Sequence, residues 1–91
     1  MELIETNQAD TLSAVVTSLI DKHIEAMGKN QVKNLYALVM EAIEPALFKE
    51  VLKFSRYNQS EAARCLGLSR GTLRTRLKAY FGETYIRKLK G

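Results

Sequence analysis

The chain has few of the residues from which catalytic and metal sites are built. It contains one histidine, one cysteine and one proline in 91 residues, so it can form neither an intrachain disulfide nor a His and Cys cluster at metal-binding spacing. It has no glycine-rich phosphate loop and no paired carboxylates beside a histidine in a recognisable pattern. We therefore expect no enzyme activity, no catalytic residue, no metal and no cofactor. His23 is interpreted as a packed or half-exposed helix residue, and Cys65 as a packing residue.

A membrane-targeting or membrane-spanning segment is also lacking. The first ten residues, MELIETNQAD, have no basic region followed by an apolar stretch. The longest uncharged apolar run, Leu35 to Met40, is far too short to cross a bilayer. A single cysteine is typical of a reducing compartment. The sequence thus predicts a cytoplasmic protein, at the nucleoid, with no membrane partner.

What the chain does have is apolar surface. Hydrophobic residues make up 46% of the sequence. The length allows one domain, residues 1–91, and a domain of this size can bury only a limited fraction of its surface. The apolar surplus suggests self-association, and we expect a homodimer.

Charge is divided unevenly along the chain. Residues 1–52 carry four Lys or Arg against eight Asp or Glu, a net charge of −4, whereas residues 53–91 carry ten against two, a net charge of +8. A block of like charge is often only a solvated surface. The basic block includes residues 58–80, which have the pattern of a helix-turn-helix. The coincidence favours double-stranded nucleic acid over a membrane or an acidic protein as the partner.

Two core helices are predicted in residues 11–55. Residues 1–10 are aperiodic and are expected to be flexible, with Asp10 or Thr11 capping the first helix. Apolar residues at 12, 15, 16, 19, 20, 24 and 27 form one stripe of a helix over about 11–27, which Gly28 ends. A short polar connection, residues 28–31, would make the next helix its antiparallel neighbour.

The second helix is predicted to run from about Gln31 to Ser55. Its apolar residues occupy more than one stripe, so more than one side must be covered, either by helices of the same chain or by a second subunit. Pro45 cannot donate to the carbonyl four residues earlier, which predicts a kink near residues 41–45. The apolar spacing continues beyond it, so we expect a kink rather than a stop.

Residues 58–80 have the pattern of a helix-turn-helix. Asn58 can cap a helix that starts at about Gln59, with Glu61 answering it as a capping box. Ala62, Ala63 and Leu66 form the inward side of this helix. Gly67 lies where the chain must turn and can adopt positive φ, and Leu68 fills the angle between the helices.

The second helix of the motif has two different faces. Ser69 can cap it, and Leu73, Leu77 and Tyr80 form its buried stripe. The side opposite this stripe is small in the centre and flanked by long basic residues, a shape that fits a groove of DNA. The arginines and Lys78 could bind phosphates, and Arg70, at the N-terminal end, is best placed to reach the O6 and N7 atoms of guanine.

Gly82 is predicted to end this helix. The basic tail that follows, residues 81–91, contains Ile86 and Leu89 with three cationic residues around them. Two alternatives remain open from the sequence. The tail forms a short helix that folds back on the domain, or it is disordered and adds phosphate contacts.

Residues 58–77 read NQSEAARCLGLSRGTLRTRL, which closely resembles the C-terminal motif of the Fis family of nucleoid-associated proteins. That motif typically has NQ, AA, LG with a following aliphatic residue, R, TLR and KL. LYALVMEAIEPALFKEVL resembles the family's long kinked helix. The resemblance implies an all-α fold with four helices per subunit and an intertwined homodimer whose core helices, residues 11–55, hold a helix-turn-helix, residues 58–80, at either end.

The resemblance also implies a DNA-bending transcriptional regulator of weak sequence preference. Carried over by position, Asn58 and Ser60 contact the DNA backbone and Arg70 contacts a base. Phosphate contacts fall to Thr72, Arg74, Arg76 and Lys78. Ser69 and Thr75 stand where the family often has longer polar residues, so we expect more reliance on DNA shape. Only eleven residues precede Leu12, so we do not expect stimulation of DNA invertases.

Two other functions remain to be weighed. The motif is shared by the DNA-binding domain at the end of NtrC-type activators, although Met1 and a self-contained first half argue against an excised domain. A helical adaptor that binds another protein through the second helix is the third hypothesis. A monomer with no DNA binding would favour it.

Overall fold

The computed structural model of the protein describes the backbone of residues 6–91 and the side chains of residues 10–91. In chain order, its elements are α1 (Thr6–Met27), a 3₁₀ turn (Lys29–Gln31), α2 (Leu35–Phe54), α3 (Gln59–Leu66), α4 (Arg70–Phe81) and α5 (Glu83–Arg87). Residues 6–91 contain no β-strand, and a single isolated bridge joins Asn58 to Lys90. The predicted all-α fold, with a short helix in the tail, is confirmed.

The first helix begins earlier than predicted. It starts at Thr6, so Asp10 and Thr11 lie inside it and the prediction that one of them caps it is wrong. Neither glycine nor proline occurs between residues 6 and 11, and nothing in that segment therefore stops a helix. The predicted end at Gly28, which has a φ of 83°, is confirmed. Residues 1–5 of the segment predicted to be flexible lie outside the described residues.

The apolar stripe of α1 is largely uncovered. Leu12, Val15 and Leu19 are 60%, 51% and 57% exposed. Val16 and Ile20 are only half-buried. A stripe of this kind contributes to stability when another surface covers it, because hydrophobic stabilisation is proportional to the apolar area removed from water.

The second helix begins later than predicted. The chain forms a 3₁₀ turn at Lys29–Gln31, is extended at Val32, and turns through Asn34 with a φ of 58° before α2 starts at Leu35. Asparagine tolerates this left-handed conformation better than most residues. The local turn therefore replaces the first turn of helix that apolar spacing had predicted from Gln31.

Pro45 lies inside α2, which runs without a break from Leu35 to Phe54. The prediction that the proline does not stop the helix is confirmed. The bend near residues 41–45 stays a prediction. In the part of the chain that the structure describes, no helix combines the length and the apolar character needed to cross a membrane.

The chain divides into two compact units within α2, one ending at Val39 and the other running from Met40 to Gly91. The second unit has a core to which each of its helices contributes, formed by Phe48, Leu52, Ala62, Ala63, Leu73, Leu77 and Ile86. The two alanines allow α3 to approach closely, and Leu73 and Leu77 are fully buried. The predicted inward faces of α3 and α4 are thus confirmed. That residues 1–91 form one domain in which the helices of residues 11–55 are the dimerisation core stays a prediction.

A sharp corner joins α2 to α3. Arg56 and Tyr57 both have positive φ, at 57° and 64°. The Tyr57 amide donates to the Leu52 carbonyl at 2.6 Å, and the Ser55 hydroxyl donates to the same carbonyl at 3.1 Å. These bonds stabilise two residues in a conformation that is unfavourable for side chains with a Cβ. The corner fixes where α3 starts.

Candidate nucleic-acid interface

Asn58 caps the start of α3 as predicted, but only one of the two hydrogen bonds of a capping box is made. Asn58 Oδ1 accepts a hydrogen bond from the Glu61 amide at 2.9 Å. The return bond of a capping box is not made, because the Asn58 amide donates to the Ser55 carbonyl at 3.2 Å. The Glu61 carboxylate instead pairs with Arg64, which lowers the pKa of Glu61 through a hydrogen bond. The capping-box prediction was wrong because the corner before α3 already satisfies that amide.

Gly67 forms the turn between α3 and α4. Its φ of 76° and ψ of 26° are left-handed, and its amide and that of Leu68 donate to the Arg64 and Ala63 carbonyls. A Cβ built on Gly67 would meet nothing within 4 Å, so glycine is favoured there by backbone conformation and not by lack of space. Leu68 is half-buried against the core, as predicted.

Ser69 caps α4 as predicted. Its Oγ accepts from the Thr72 amide at 3.1 Å, and its hydroxyl donates to Thr72 Oγ1 at 2.9 Å. Both residues belong to the predicted DNA-binding set. Their hydroxyl groups contact each other in this structure, so Thr72 keeps its own hydroxyl proton to donate to an anion.

The outer face of α4 presents two unpaired arginines. Arg70 and Arg74 are exposed, as are the small residues Gly71 and Thr75 that follow each of them. Within residues 6–91, no carboxylate lies in ion-pair distance of either guanidinium. Leu73 and Leu77 of the same helix are fully buried, so the predicted division of α4 into a buried apolar stripe and an exposed face with basic residues is confirmed.

Arg76 lies at the edge of this face and is already paired. Its Nη1 donates to Glu44 Oε2 at 2.6 Å, and the Tyr80 hydroxyl donates to Glu44 Oε1 at 2.6 Å. The Glu44 side chain is only 14% exposed. The hydrogen bond to Glu44 and partial burial raise the pKa of Tyr80 to about 12. Arg76 therefore helps to dock α4 on α2, a role that sequence reasoning missed.

Glu44 carried a weak signal in the sequence. It is an acidic residue directly between Ile43 and Pro45 in the apolar part of α2. A carboxylate in such a position requires a partner when it is buried. The sequence does not say which of the ten basic residues of the C-terminal half supplies that partner.

Lys78 is paired more loosely. Its Nζ lies 3.0 Å from Glu83 Oε1, with the two side chains 61% and 46% exposed. The hydrogen bond from Lys78 lowers the pKa of Glu83. Exposed pairs of this kind contribute little to stability, so a phosphate could compete for the ammonium group. The prediction that Lys78 contacts phosphate stays a prediction.

The two predicted contacts of α3 differ in exposure. Ser60 is exposed, whereas Asn58 is half-buried and its Oδ1 is used by the cap. The side-chain Nδ2 of Asn58 is a donor of the kind that binds a phosphate oxygen. Whether either residue contacts DNA stays a prediction.

Cys65 is not a packing residue. It is exposed on α3, between the exposed Arg64 and the half-buried Leu66, so the prediction of a buried role is wrong. An eight-residue helix buries only the side that carries Ala62 and Ala63. His23 is half-buried on α1, as expected. Residues 6–91 contain no cluster of side chains that could hold a metal ion.

The tail folds back on the helix-turn-helix, and this observation decides between the two alternatives. Gly82 ends α4 with a φ of 91°, and Ile86 of α5 is buried in the core. Beyond α5, the Lys90 amide donates to the Tyr57 carbonyl at 2.8 Å, and the Gln59 amide donates to the Lys90 carbonyl at 2.7 Å. The tail therefore meets the chain at the start of α3.

Comparison with known proteins agrees with this geometry. The family model described as "Bacterial regulatory protein, Fis family" matches residues 39–80. Among curated proteins, the chain is 34% identical over 65 residues to the DNA-binding protein Fis of Vibrio atlanticus and to that of Photobacterium profundum. It is 35% identical over 65 residues to the DNA-binding protein Fis of Proteus mirabilis. Each match covers 71% of the chain and 66% of the relative, so the chain spans a little under two thirds of their length. The motif and the arrangement of α2, α3 and α4 agree with these similarities, and the chain belongs to the Fis family of bacterial regulatory proteins.

Proposed function

We propose that this protein is a homodimeric regulator that binds and bends double-stranded DNA at the nucleoid. The observation that carries the proposal is the exposed outer face of α4, where Arg70 and Arg74 flank the small residues Gly71 and Thr75 without an internal ion pair in the described chain. The relatives at 34–35% identity are named DNA-binding proteins. Membership of the same family supports DNA binding by this chain.

The shape of α4 suits the major groove of DNA. That groove is about 12 Å wide and admits one α-helix. The absence of a side chain on Gly71 and the short side chain of Thr75 let the helix axis approach the base edges, while Arg70 and Arg74 reach outward from it. We assign base reading at guanine to Arg70, at the first turn, and phosphate binding to Arg74.

A second copy of the chain is the proposed partner of the exposed apolar stripe. Leu12, Val15 and Leu19 of α1 are more than half exposed, and Tyr36 at the start of α2 is 80% exposed. A second copy offers the same apolar stripe, and such self-complementary surfaces are typical of twofold dimers. Two helix-turn-helix units related by a twofold axis would read two half-sites on one side of the duplex.

Bending follows if the two copies of α4 stand closer together than one turn of straight DNA. The duplex then has to curve for both helices to enter successive major grooves, and the deformation energy depends on sequence. Selection of sites would therefore come partly from shape, which agrees with the short side chains of Ser69 and Thr75.

The test of DNA binding compares duplex affinity for the wild type and for an Arg74→Ala, Lys78→Ala double variant. We expect tight, steeply salt-dependent binding by the wild type, since a protein that neutralises several phosphates loses orders of magnitude in affinity over a few-fold rise in salt. A Lys29→Ala, Lys33→Ala variant, which loses the same charge at exposed positions outside the family match, is the control. Equal affinity of all three proteins would overturn the proposal.

The test of dimerisation and bending uses the same preparation. Sedimentation equilibrium should give a dimer for the wild type and a shift toward monomer for Leu12→Glu, Leu19→Glu, because charges would then replace the apolar stripe. Binding to a duplex of ~25 base pairs labelled at both ends should shorten its end-to-end distance. A stable monomer would contradict the proposed dimer. A straight duplex in the complex would contradict the proposed bend.

The two other functions are less well supported. The similarity extends over 65 residues to proteins named Fis, well beyond the helix-turn-helix that NtrC-type activators share. A helical adaptor does not account for the unpaired arginines on α4. A monomeric chain without affinity for duplex would nevertheless favour it.

A further inference from the structure

The tail, residues 81–91, follows the helix-turn-helix and lies beyond the family match, which ends at residue 80. We propose that this tail is a second DNA-backbone contact, in which Lys88 and Lys90 bind phosphates next to the start of α3. The inference rests on the proposed DNA binding and assigns to it a surface that the motif does not contain.

The tail is anchored to the chain at the start of α3. Lys90 is joined by two backbone hydrogen bonds to the residues on either side of Asn58, with lengths of 2.8 Å and 2.7 Å. Ile86 is 2% exposed within the core. At Gly91 the chain passes so close that a Cβ there would lie 2.5 Å from Asn58 Oδ1. The position of the tail relative to α3 is thus set by buried packing and by main-chain bonds.

The anchor lies where the helix-turn-helix is expected to cross the DNA backbone. In helix-turn-helix proteins the first helix of the motif crosses the DNA backbone while the second enters the groove. Asn58 and Ser60 are predicted to contact the DNA backbone. They lie at the start of α3, where Lys90 forms its main-chain hydrogen bonds. A cation carried by the tail at this point is therefore beside the predicted path of the phosphates.

The tail carries exposed basic residues. Arg87, Lys88 and Lys90 are exposed, and residues 84–91 contain no acidic residue. Glu83, the nearest acid in the chain, is paired with Lys78. Within the described residues, neither Lys88 nor Lys90 has a carboxylate in ion-pair distance. These ammonium groups have no ion-pair partner among the described residues, and a phosphate would give them one.

The anchor makes a clean test available. Because Lys90 is held through its amide and carbonyl, Lys88→Ala, Lys90→Ala removes two charges and leaves the bonds to Tyr57 and Gln59 in place. Fluorescence anisotropy measures the affinity of each protein for a duplex of about 35 base pairs from low to high salt. This length is roughly ten base pairs more than the ~25 needed for the two half-sites. The matched control is Lys29→Ala, Lys33→Ala. Melting temperatures of all proteins are compared to verify the fold.

We expect the tail variant to bind about five- to tenfold more weakly at moderate salt, on all sequences alike. Its salt dependence should be shallower by about 0.9 in the log–log slope for each phosphate that the variant no longer neutralises. The control should retain the affinity and slope of the wild type. A tail variant that matches the control in both quantities would overturn the inference and leave the tail as a structural strap.

A second measurement is independent of any loss of stability. Ethylation of individual phosphates on the duplex should reveal positions that interfere with binding by the wild type but not by the tail variant, at the outer edges of the site. Interference patterns that are identical for the two proteins would also overturn the inference. If the wild type itself fails to bind duplex, the proposed function fails, and this outcome is distinct from a failure of the tail contact alone.

Discussion

Arg76 on α4 donates a 2.6 Å hydrogen bond to Glu44 on α2, a residue that precedes it by 32 positions. The same carboxylate accepts from Tyr80, so one acidic residue holds two successive turns of the helix that presents the basic face. The family pattern assigns Arg76 to phosphate. The geometry gives it a partner within the protein, and this distinguishes it from Arg74, two residues earlier on the same helix.

The first prediction compares these two arginines. Arg76→Ala should lower the free energy of unfolding by about 1 kcal/mol, because Glu44 is largely buried and loses one of its two donors. Arg74→Ala, at an exposed position without an ion pair, should change it by less than about 0.5 kcal/mol. Urea denaturation followed by circular dichroism measures both. Equal stability of the two variants would mean that the Glu44 contact contributes nothing to docking.

The second prediction concerns alkaline pH. The pKa of Tyr80 is raised to about 12 in the folded protein, above the usual value of about 10. A raised pKa means that the folded state holds its proton more tightly. The stabilisation is therefore fully present below about pH 10 and is lost as pH rises toward 12.

Denaturation of the wild type and of Tyr80→Phe across this range tests the pH dependence. Tyr80→Phe keeps the ring that packs against Phe48, with centroids 6.1 Å apart, but has no proton to lose. The difference in stability between the two proteins should shrink as pH rises from about 10 to 12. A difference that stays constant would show that Tyr80 ionises normally.

The third prediction separates stability from binding at two glycines. Gly71 lies in α4, and a Cβ there would meet nothing within 4 Å in the free protein. Gly71→Ala should therefore stabilise the fold by about 0.5–1 kcal/mol through helix propensity. It should weaken DNA binding, because the added methyl group lies on the face that enters the groove.

Gly67→Ala is the matched substitution in the turn. It also adds a methyl group in open space, but at a φ of 76°, so it should destabilise the fold by about 1–2 kcal/mol. Thermal melts and duplex affinities of the two variants give the comparison. If Gly71→Ala binds DNA as tightly as the wild type, the centre of this face does not approach the bases.

The fourth prediction concerns base reading. Arg70→Ala should relax the preference for guanine at one position of each half-site, by roughly 1–3 kcal/mol if the wild-type contact is bidentate. Arg74→Ala should weaken binding to all sequences by a similar factor, since phosphate contacts carry no sequence information. Selection of binding sites from a randomised duplex pool distinguishes the two outcomes. An unchanged preference in Arg70→Ala would assign base reading to another residue.

Local features of the chain could be read from the sequence because they depend on neighbouring residues. The cap at Asn58, the left-handed turn at Gly67 and the buried stripe of Leu73 and Leu77 each follow from side-chain chemistry within a few positions. Periodicity also predicted a basic outer face on α4. It failed at the start of α2, where a turn at Asn34 competes locally with helix.

Contacts between distant residues were decided by the tertiary structure. The sequence alone could not pair Glu44 with Arg76, since any of several arginines could have neutralised that carboxylate. Nor could it choose between a free tail and one bonded at Lys90 to the start of α3, because the apolar content of that tail fits both. Those choices depend on which surfaces approach one another when the core closes, and such approach distances are set by the packing of whole helices.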